Sequence, residues 1–390
     1  MKELFRPHDN EWLLNKFDYY KTLRERKKAY FSKTYDMHII TRYKDVVDIL
    51  SDAETFSSAN GNLIVENNTR LELTLGSSDN PLHSYYKSIV KNAYSKSNIE
   101  RITSTYREQV KNRLLNTSTV NISDVADITT AWAIAETINL PYDKEHIANL
   151  IFKIQRESGY AVQDSISEEA RIELSRIIIR DVIKKTPSPG PGIYHEYINC
   201  PLVKDIGPTS LFTGPTISGA SSTTGAIEFM VLDLFRQGQV PALLKDKNLI
   251  PDAVDECLRF NATTGRFRRT ATKPVTVHGV KLKPGDKVAV CLESANRDHT
   301  VFENPDSFII NRPNKGNLAF GHGMHACIAL AISKALMTVF LEELLNQVGD
   351  YNVVTKNVDL KYVLTSSGND DMISNLVIKK QNNSLFNKYN

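Results

Sequence analysis

The sharpest chemical signal in this sequence is a single sulfur. Cys327 closes a loop carrying Gly321 and Gly323, and the apolar run CIALAISKAL begins at it. Glycines let a backbone approach a flat ligand closely, and free amide donors at a helix start lower the pKa of a thiol. The segment therefore favours a thiolate facing a planar group. Cys200, Cys257 and Cys291 are few and widely spread, which fits neither a disulfide framework nor paired zinc ligands. They are expected to be buried structural thiols.

Other groups have suggestive spacing. Glu256 and Arg259 lie three apart on a helix that Pro251 can start at its first turn. Arg266, Arg268 and Arg269 cluster in NATTGRFRR, where Arg266 and Arg268 are read either as solvated loop arginines or as partners for a substrate carboxylate or carrier phosphate. His83 and Lys87 are one helical turn apart, and His325 lies two residues before the sulfur. The stretch SLFTGPTISGASSTTGAIEFM, 210–230, is dense in hydroxyls from Thr213 to Thr224 and has no carboxylate among them. Pro215 predicts a kink or irregular turn there.

These groups need positioning elements. A short strand, 38–41, leads to a helix with Val46, Val47 and Leu50 on one side; helices are also predicted over 81–115, 143–157 and 166–185, the last carrying Ile172, Ile177 and Ile179. TPSPGPG at 186–192 forbids continuous helix. Alternation in 273–290 predicts one small antiparallel sheet, and a long buried helix is predicted from Cys327 to about Leu345. The fold class is mostly α with small antiparallel β-sheets. With 390 residues, 41% apolar and 24% charged, the chain has an ordinary globular composition, and a net charge of +3 with no basic aromatic stripe gives no reason to invoke nucleic acid. No signal-peptide run or membrane-length apolar stretch occurs, so no membrane role and a cytoplasmic location are expected. The asparagine-rich tail, 381–390, is expected to fray.

Phe320-Gly321-His322-Gly323-Met324-His325-Ala326-Cys327 resembles the haem-binding loop of the cytochrome P450 superfamily, with Ala329 standing where that family usually has glycine. Glu256 and Arg259 match its Glu-x-x-Arg pair, and 294–312 is similar to its loop-rich segment through Asn296, Arg297, Asp298, Pro305, Phe308 and Arg312. The resemblance implies a cytochrome P450 fold over 1–390 as a single haem-binding domain, haem b (iron protoporphyrin IX) as cofactor, and Cys327 as the metal ligand. It implies Phe320 in the haem-binding loop, and Arg269, His83, Lys87 and His325 as propionate partners, Lys87 keeping the charge but not the fork of the family's arginine. In the oxygen-activating helix the family's Ala/Gly-Gly-x-Asp/Glu-Thr aligns with Ser218, Gly219, Ser221 and Ser222, or, shifted by one, puts Thr223 at the hydroxyl position. Either register lacks the acid.

The expected activity is that of a monooxygenase inserting oxygen from dioxygen into a small organic molecule, since thiolate donation favours O–O cleavage. Electrons are expected from a separate ferredoxin or flavodoxin and its reductase, because no flavin- or nicotinamide-binding motif is seen. A monomer is expected. The missing acid keeps two alternatives open: a peroxide-dependent or rearranging haem-thiolate enzyme, and a haem-binding sensor or carrier without turnover.

Overall fold

Where the 3.6-residue apolar period persists, the chain is helical. The computed structural model describes residues 3–66, 73–115, 119–159, 165–200, 207, 211–212, 214–313, 316–348, 361–364 and 371–379. Helices run α1 Asn10–Leu14, α2 Lys16–Arg24, α3 Tyr43–Ser51, α4 Leu82–Val90, α5 Lys96–Leu114, α6 Ile122–Ile138 and α7 Lys144–Gly159. They continue as α8 Ser165–Lys184, α9 Ile193–Ile198, α10 Ala220–Arg236, α11 Val240–Lys245, α12 Ile250–Phe260, α13 Leu292–Ala295 and α14 Leu330–Val348. Helix α6 shows how ends are set. The Asn121 side chain accepts from the Asp124 amide at the start, and Asn139 turns left-handed (φ 53°) at the end.

Helix α10 buries every residue from Thr223 to Leu234, so it has no solvent face and must be central. It packs against α6, α7, α12 and α14. The largest apolar cluster joins α5, α6, α10, α12 and α14 through residues such as Tyr106, Met230, Leu336 and Phe340. Each large apolar side chain removed from water there contributes about 1.5–3 kcal/mol. In α8, Ile177 is buried beside Leu174 and Ile178, whereas Ile172 and Ile179 are exposed. TPSPGPG forms the loop between α8 and α9.

Strands are β1 Tyr30–Ser32, β2 Met37–Ile40, β3 Phe56–Ser57, β4 Thr119–Asn121, β5 Arg266–Ala271, β6 Val275–Val277, β7 Val280–Leu282, β8 Lys287–Cys291, β9 Lys361–Leu364, β10 Asp371–Ser374 and β11 Val377–Lys379. The expectation of one small sheet over 273–290 is corrected. Only β6 and β7 form that hairpin; β8 joins a five-stranded sheet in the order β1-β2-β8-β5-β3. It pairs parallel to β2 and antiparallel to β5. Val288 to Cys291 are all buried, a continuous apolar run that needs neighbours on both edges.

The start of α14 is also corrected. It begins at Leu330, not Cys327, because Ala326 is extended (ψ 137°) and the Cys327 amide is tied back to the Phe320 carbonyl at 2.9 Å. Ile332, Leu336, Phe340 and Leu344 form its buried stripe as expected.

Behind α12 lies a buried charge knot. Glu256 accepts from Arg259 Nε (2.8 Å) and Nη2 (2.7 Å), Arg312 Nε (3.1 Å) and the Ile309 amide (2.8 Å). Burial pushes its carboxyl up, but the two arginines and the amide hold it below the usual carboxylate range. Arg259 Nη1 also donates to the carbonyls of Asn296 (2.9 Å) and Pro305 (2.8 Å). The segment 294–312, which lacks regular structure after α13, thereby has its carbonyls satisfied by buried guanidinium groups.

Candidate functional site

The loop before α14 is built by backbone closure. The amides of Gly321, Ala326 and Cys327 donate to the carbonyls of Leu318, Gly323 and Phe320 at 2.9–3.1 Å. Gly321 and Gly323 both take left-handed φ, 72° and 68°. A Cβ on Gly323 would lie 2.2 Å from the Leu50 carbonyl at the end of α3, so only glycine fits that approach.

At the end of this loop, Cys327 keeps accessible surface. Surrounding protein nevertheless desolvates the thiol and raises its pKa, while the Ala329 amide and Lys87 favour the thiolate. Cys257 and Cys291 differ: both are buried, and burial pushes their thiols up, that of Cys291 to about 12. Cys200 is half-buried.

Four basic side chains gather beside the loop. His83, on α4, is buried; its Nδ1 meets the Leu75 carbonyl at 2.9 Å and its Nε2 the Met324 carbonyl at 3.1 Å. Its ring sits 4.3 Å from that of His325. Lys87 Nζ reaches the same Met324 carbonyl at 3.4 Å. His83 and Lys87 thus hold the sulfur loop itself, a role the sequence did not suggest.

Arg269, on β5, is only 5% exposed, and among the described residues its guanidinium makes a single hydrogen bond, to the Arg268 carbonyl at 2.8 Å. Burial lowers its pKa to about 10, with Asp79 opposing. Asp79 is engaged by Ser57 Oγ (2.5 Å) and the Ser58 amide (2.9 Å). Both ring nitrogens of His325 are buried with no partner among the described residues, and burial, then Arg269 and His83, depress its pKa to about 3. Phe320 is half-buried against the main core.

These facts test the fit to a haem. Among the described residues no three His, Cys, Asp or Glu converge on a metal position, so a metal held by Cys327 would need its other ligands from a prefabricated ring. The unmet donors of Arg269 and His325 call for acceptor oxygens, as carboxylates on such a ring would supply. The residues fit.

On the central helix, a π-helical turn, Gly214–Gly219, precedes α10, placing the irregularity where Pro215 predicted it. Ser221 Oγ donates to the Ile217 carbonyl (2.9 Å) and Ser222 Oγ to that of Ser218 (2.6 Å). Ser218 is exposed and Ser222 half-buried, whereas Thr223 is buried with its hydroxyl 3.5 Å from Ser333 on α14. A Cβ on Gly219 would meet Ile134 Cδ1 at an ordinary 3.5 Å, so its small size is not required for clearance.

The arginine readings need correction. Arg266 is neither solvated nor available to a substrate: it is fully buried and paired with Asp371 and Glu293. Lys16 of α2 joins the same two carboxylates, and Tyr20 donates to Glu293 at 2.8 Å. Arg268 donates to the Asn60 carbonyl and fills the space over Gly61. By the family resemblance the segments 59–75, 159–167 and 365–371 would line a substrate pocket; they lie partly or largely outside the described residues.

Sequence reasoning also missed polar groups around α10. Gln155 of α7, fully buried, donates to Asp127 Oδ1 and Thr224 Oγ1, both at 2.6 Å. Glu228 is 2% exposed. A lone acid inside GAIEFMVL was the available signal.

The family model described as Cytochrome P450 matches residues 242–348. The chain is 28% identical to cytochrome P450-terp of a Pseudomonas species over 79% of its length and 81% of the relative's. It is 27% identical to cytochrome P450(BM-1) of Priestia megaterium, covering 84% and 85%. Among solved structures, substrate-free CYP109E1 from Bacillus megaterium superposes with a TM-score of 0.83 at 21% identity, covering 95% of this chain and 99% of that one. P450BioI in complex with an acyl carrier protein bearing hexadec-9Z-enoic acid gives 0.81 at 20%, with the same coverage.

Proposed function

Because this chain belongs to the cytochrome P450 superfamily of haem-dependent oxidoreductases, we propose that Cys327 is its iron ligand and that 1–390 works as one haem b domain. The observation that carries this is the pairing at one place of an accessible, desolvated sulfur with unfilled donors on Arg269 and His325. When bound, the haem supplies reductive dioxygen chemistry, to which thiolate donation adds a push toward O–O cleavage. The chain does the rest. The Ala329 amide holds negative charge on sulfur, Gly321 turns the loop, Gly323 lets it lie against α3, and His83 and Lys87 brace that loop through Met324. Arg269 and His325 orient the carboxylates of the group.

On the other side, Ser218 and Ser222 present a narrow hydroxyl-bearing face, and Ser222 is the hydroxyl we assign to the oxygen-activating position. With its hydrogen already given to the Ser218 carbonyl, Ser222 accepts a hydrogen bond readily and donates poorly. Nothing at positions 213–224 holds a proton reservoir. Oxygen activation is therefore atypical. The same feature favours a second reading, in which hydrogen peroxide replaces dioxygen and reductant. The substrate is a small organic molecule, and electrons come from a ferredoxin or flavodoxin with its reductase. Among the described residues no helix is long and apolar enough to cross a membrane.

The test is the reduced, carbon monoxide-bound spectrum of the wild type and of Cys327→Ala. The thiolate band is expected in the first and absent from the second; an unaltered spectrum in the variant overturns the assignment. Product formation with peroxide alone, against ferredoxin plus reductant, separates the two oxidants.

A further inference from the structure

If residues 213–224 lack an acid, the protons that dioxygen reduction consumes must come from elsewhere on the helix. Ser221, Thr224 and Glu228 recur at intervals of three and four, so they share one face of α10, with neighbouring Cβ atoms roughly 5–6 Å apart. That face is turned toward α6 and α7, since Thr224 receives Gln155 Nε2 from α7 and lies 3.5 Å from the Ala126 carbonyl of α6. Gln155 also holds Asp127, which is half-buried and reaches the edge of the core. Glu228 lies deeper, 2% exposed, and its Oε2 is a buried oxygen with no partner among the described residues.

We propose that Glu228 is the proton-holding carboxyl of the distal helix, passing its proton through Thr224 to the Ser221–Ser222 turn and recovering it from solvent by way of Asp127. The proposal rests on the haem-dependent reading above. In the step, Glu228 gives its carboxyl proton to Thr224 Oγ1, and Thr224 releases its own hydroxyl hydrogen toward Ser221, a water spanning the remaining turn. Thr224 is free to do so because the 3.5 Å contact to Ala126 is a weak acceptor. Glu228 is left as a carboxylate beside Asp127 until a proton enters from outside; only a proton moves, and no electrons.

The surroundings agree. Burial raises the Glu228 carboxyl to about 8, with Asp127 adding to the shift, while the Ser123 hydroxyl and the Ile373 amide oppose it. From α7 the facing group is the neutral Gln155. From the β10 strand the nearby carboxylate is Asp371, already neutralised by Lys16 and Arg266. The negative charge of Asp127 makes a second charge on Glu228 costlier, which favours the protonated carboxyl.

The experiment uses the haem-loaded protein without substrate, supplied with electrons from a surrogate ferredoxin and its reductase. The readout is the fraction of electrons that end in free hydrogen peroxide rather than water. Glu228→Gln keeps the shape of the neutral acid but has no proton to give, so the peroxide fraction should rise several-fold. Thr224→Val should do the same. Alongside, infrared difference spectra at neutral pH should show a protonated-carboxyl band in the wild type and in Thr224→Val that is lost in Glu228→Gln, while the contribution of buried Asp233, whose carboxyl is raised to about 7, stays in all three. A missing wild-type band, or a band that vanishes in Glu228→Gln with no change in peroxide, overturns the proposal. The infrared comparison needs no haem, so a protein that fails to bind haem would sink the family-based reading while the carboxyl assignment is still judged.

Discussion

The charge knot around Glu256 and the hydroxyl-rich turn around Ser222 solve the same problem in opposite ways. Both steady irregular backbone. At Glu256, charges on Glu256, Arg259 and Arg312 saturate one another and tie down loop carbonyls from 296 to 307 and the Ile309 amide. Around Ser222, the hydroxyls of Ser221 and Ser222 turn back on the carbonyls four residues earlier, and the π turn absorbs the misfit. The first arrangement has one low-energy state. The second is held by weak local bonds that exchange readily with water or a ligand. Rigid support on one side and adaptable polarity on the other is what the difference teaches.

Removing Arg259 should break the rigid side most severely. Arg259→Ala leaves Glu256 buried with only Arg312 as charged partner, and is expected to cost about 3–5 kcal/mol by chemical denaturation. A loss below 1 kcal/mol, as for the ~1 kcal/mol ceiling of exposed pairs, would erase the contrast.

The next effect belongs to Glu228. Its carboxyl pKa is raised in the folded chain, from 4.5 to about 8. The folded state therefore keeps a proton that the unfolded state gives up, and stability falls as pH climbs through that window, by an amount on the order of a few kcal/mol. Glu228→Gln should flatten the slope between these pH values. An identical slope in both proteins would count against a protonated Glu228.

Arg269 sharpens the comparison through a change of sign. Without haem its charge is buried and almost unpaired, so Arg269→Met should stabilise the haem-free protein by about 1–3 kcal/mol. With haem the same change should speed haem loss to a haem-accepting globin. If the haem-free variant is weaker, Arg269 is a structural residue like Arg259. Smallest of all, Ser222→Ala should shift folding free energy by no more than about 0.5 kcal/mol, since its back-bonded hydroxyl ties nothing else down.

What was legible in the sequence follows the same division. The Cys327 loop and the Glu256–Arg259 pair could be read because their geometry is local: glycines fixed by φ, and charges three apart on one helix. Pro215 announced the irregular turn for the same reason. The true surroundings of Arg266 were not legible, because Lys16, Glu293 and Asp371 come from three distant segments and no spacing links them. Strand β8 went to the wrong sheet because alternation was read where a run of buried residues, Val288 to Cys291, demanded two neighbours. The first turn of α14 was misplaced since an apolar residue such as Ile328 looks the same in a turn as in a helix.

The buried quartet of Lys16, Arg266, Glu293 and Asp371 also sets an order of events during synthesis. Lys16 and Asp371 are 355 residues apart, so α2 leaves the ribosome long before its counter-charge has been translated. Until then a lysine destined for a dry interior has no complete set of partners and stays in water. The nascent molecule is thereby kept ajar on this side until Asp371, the last of the four in chain order, has been added.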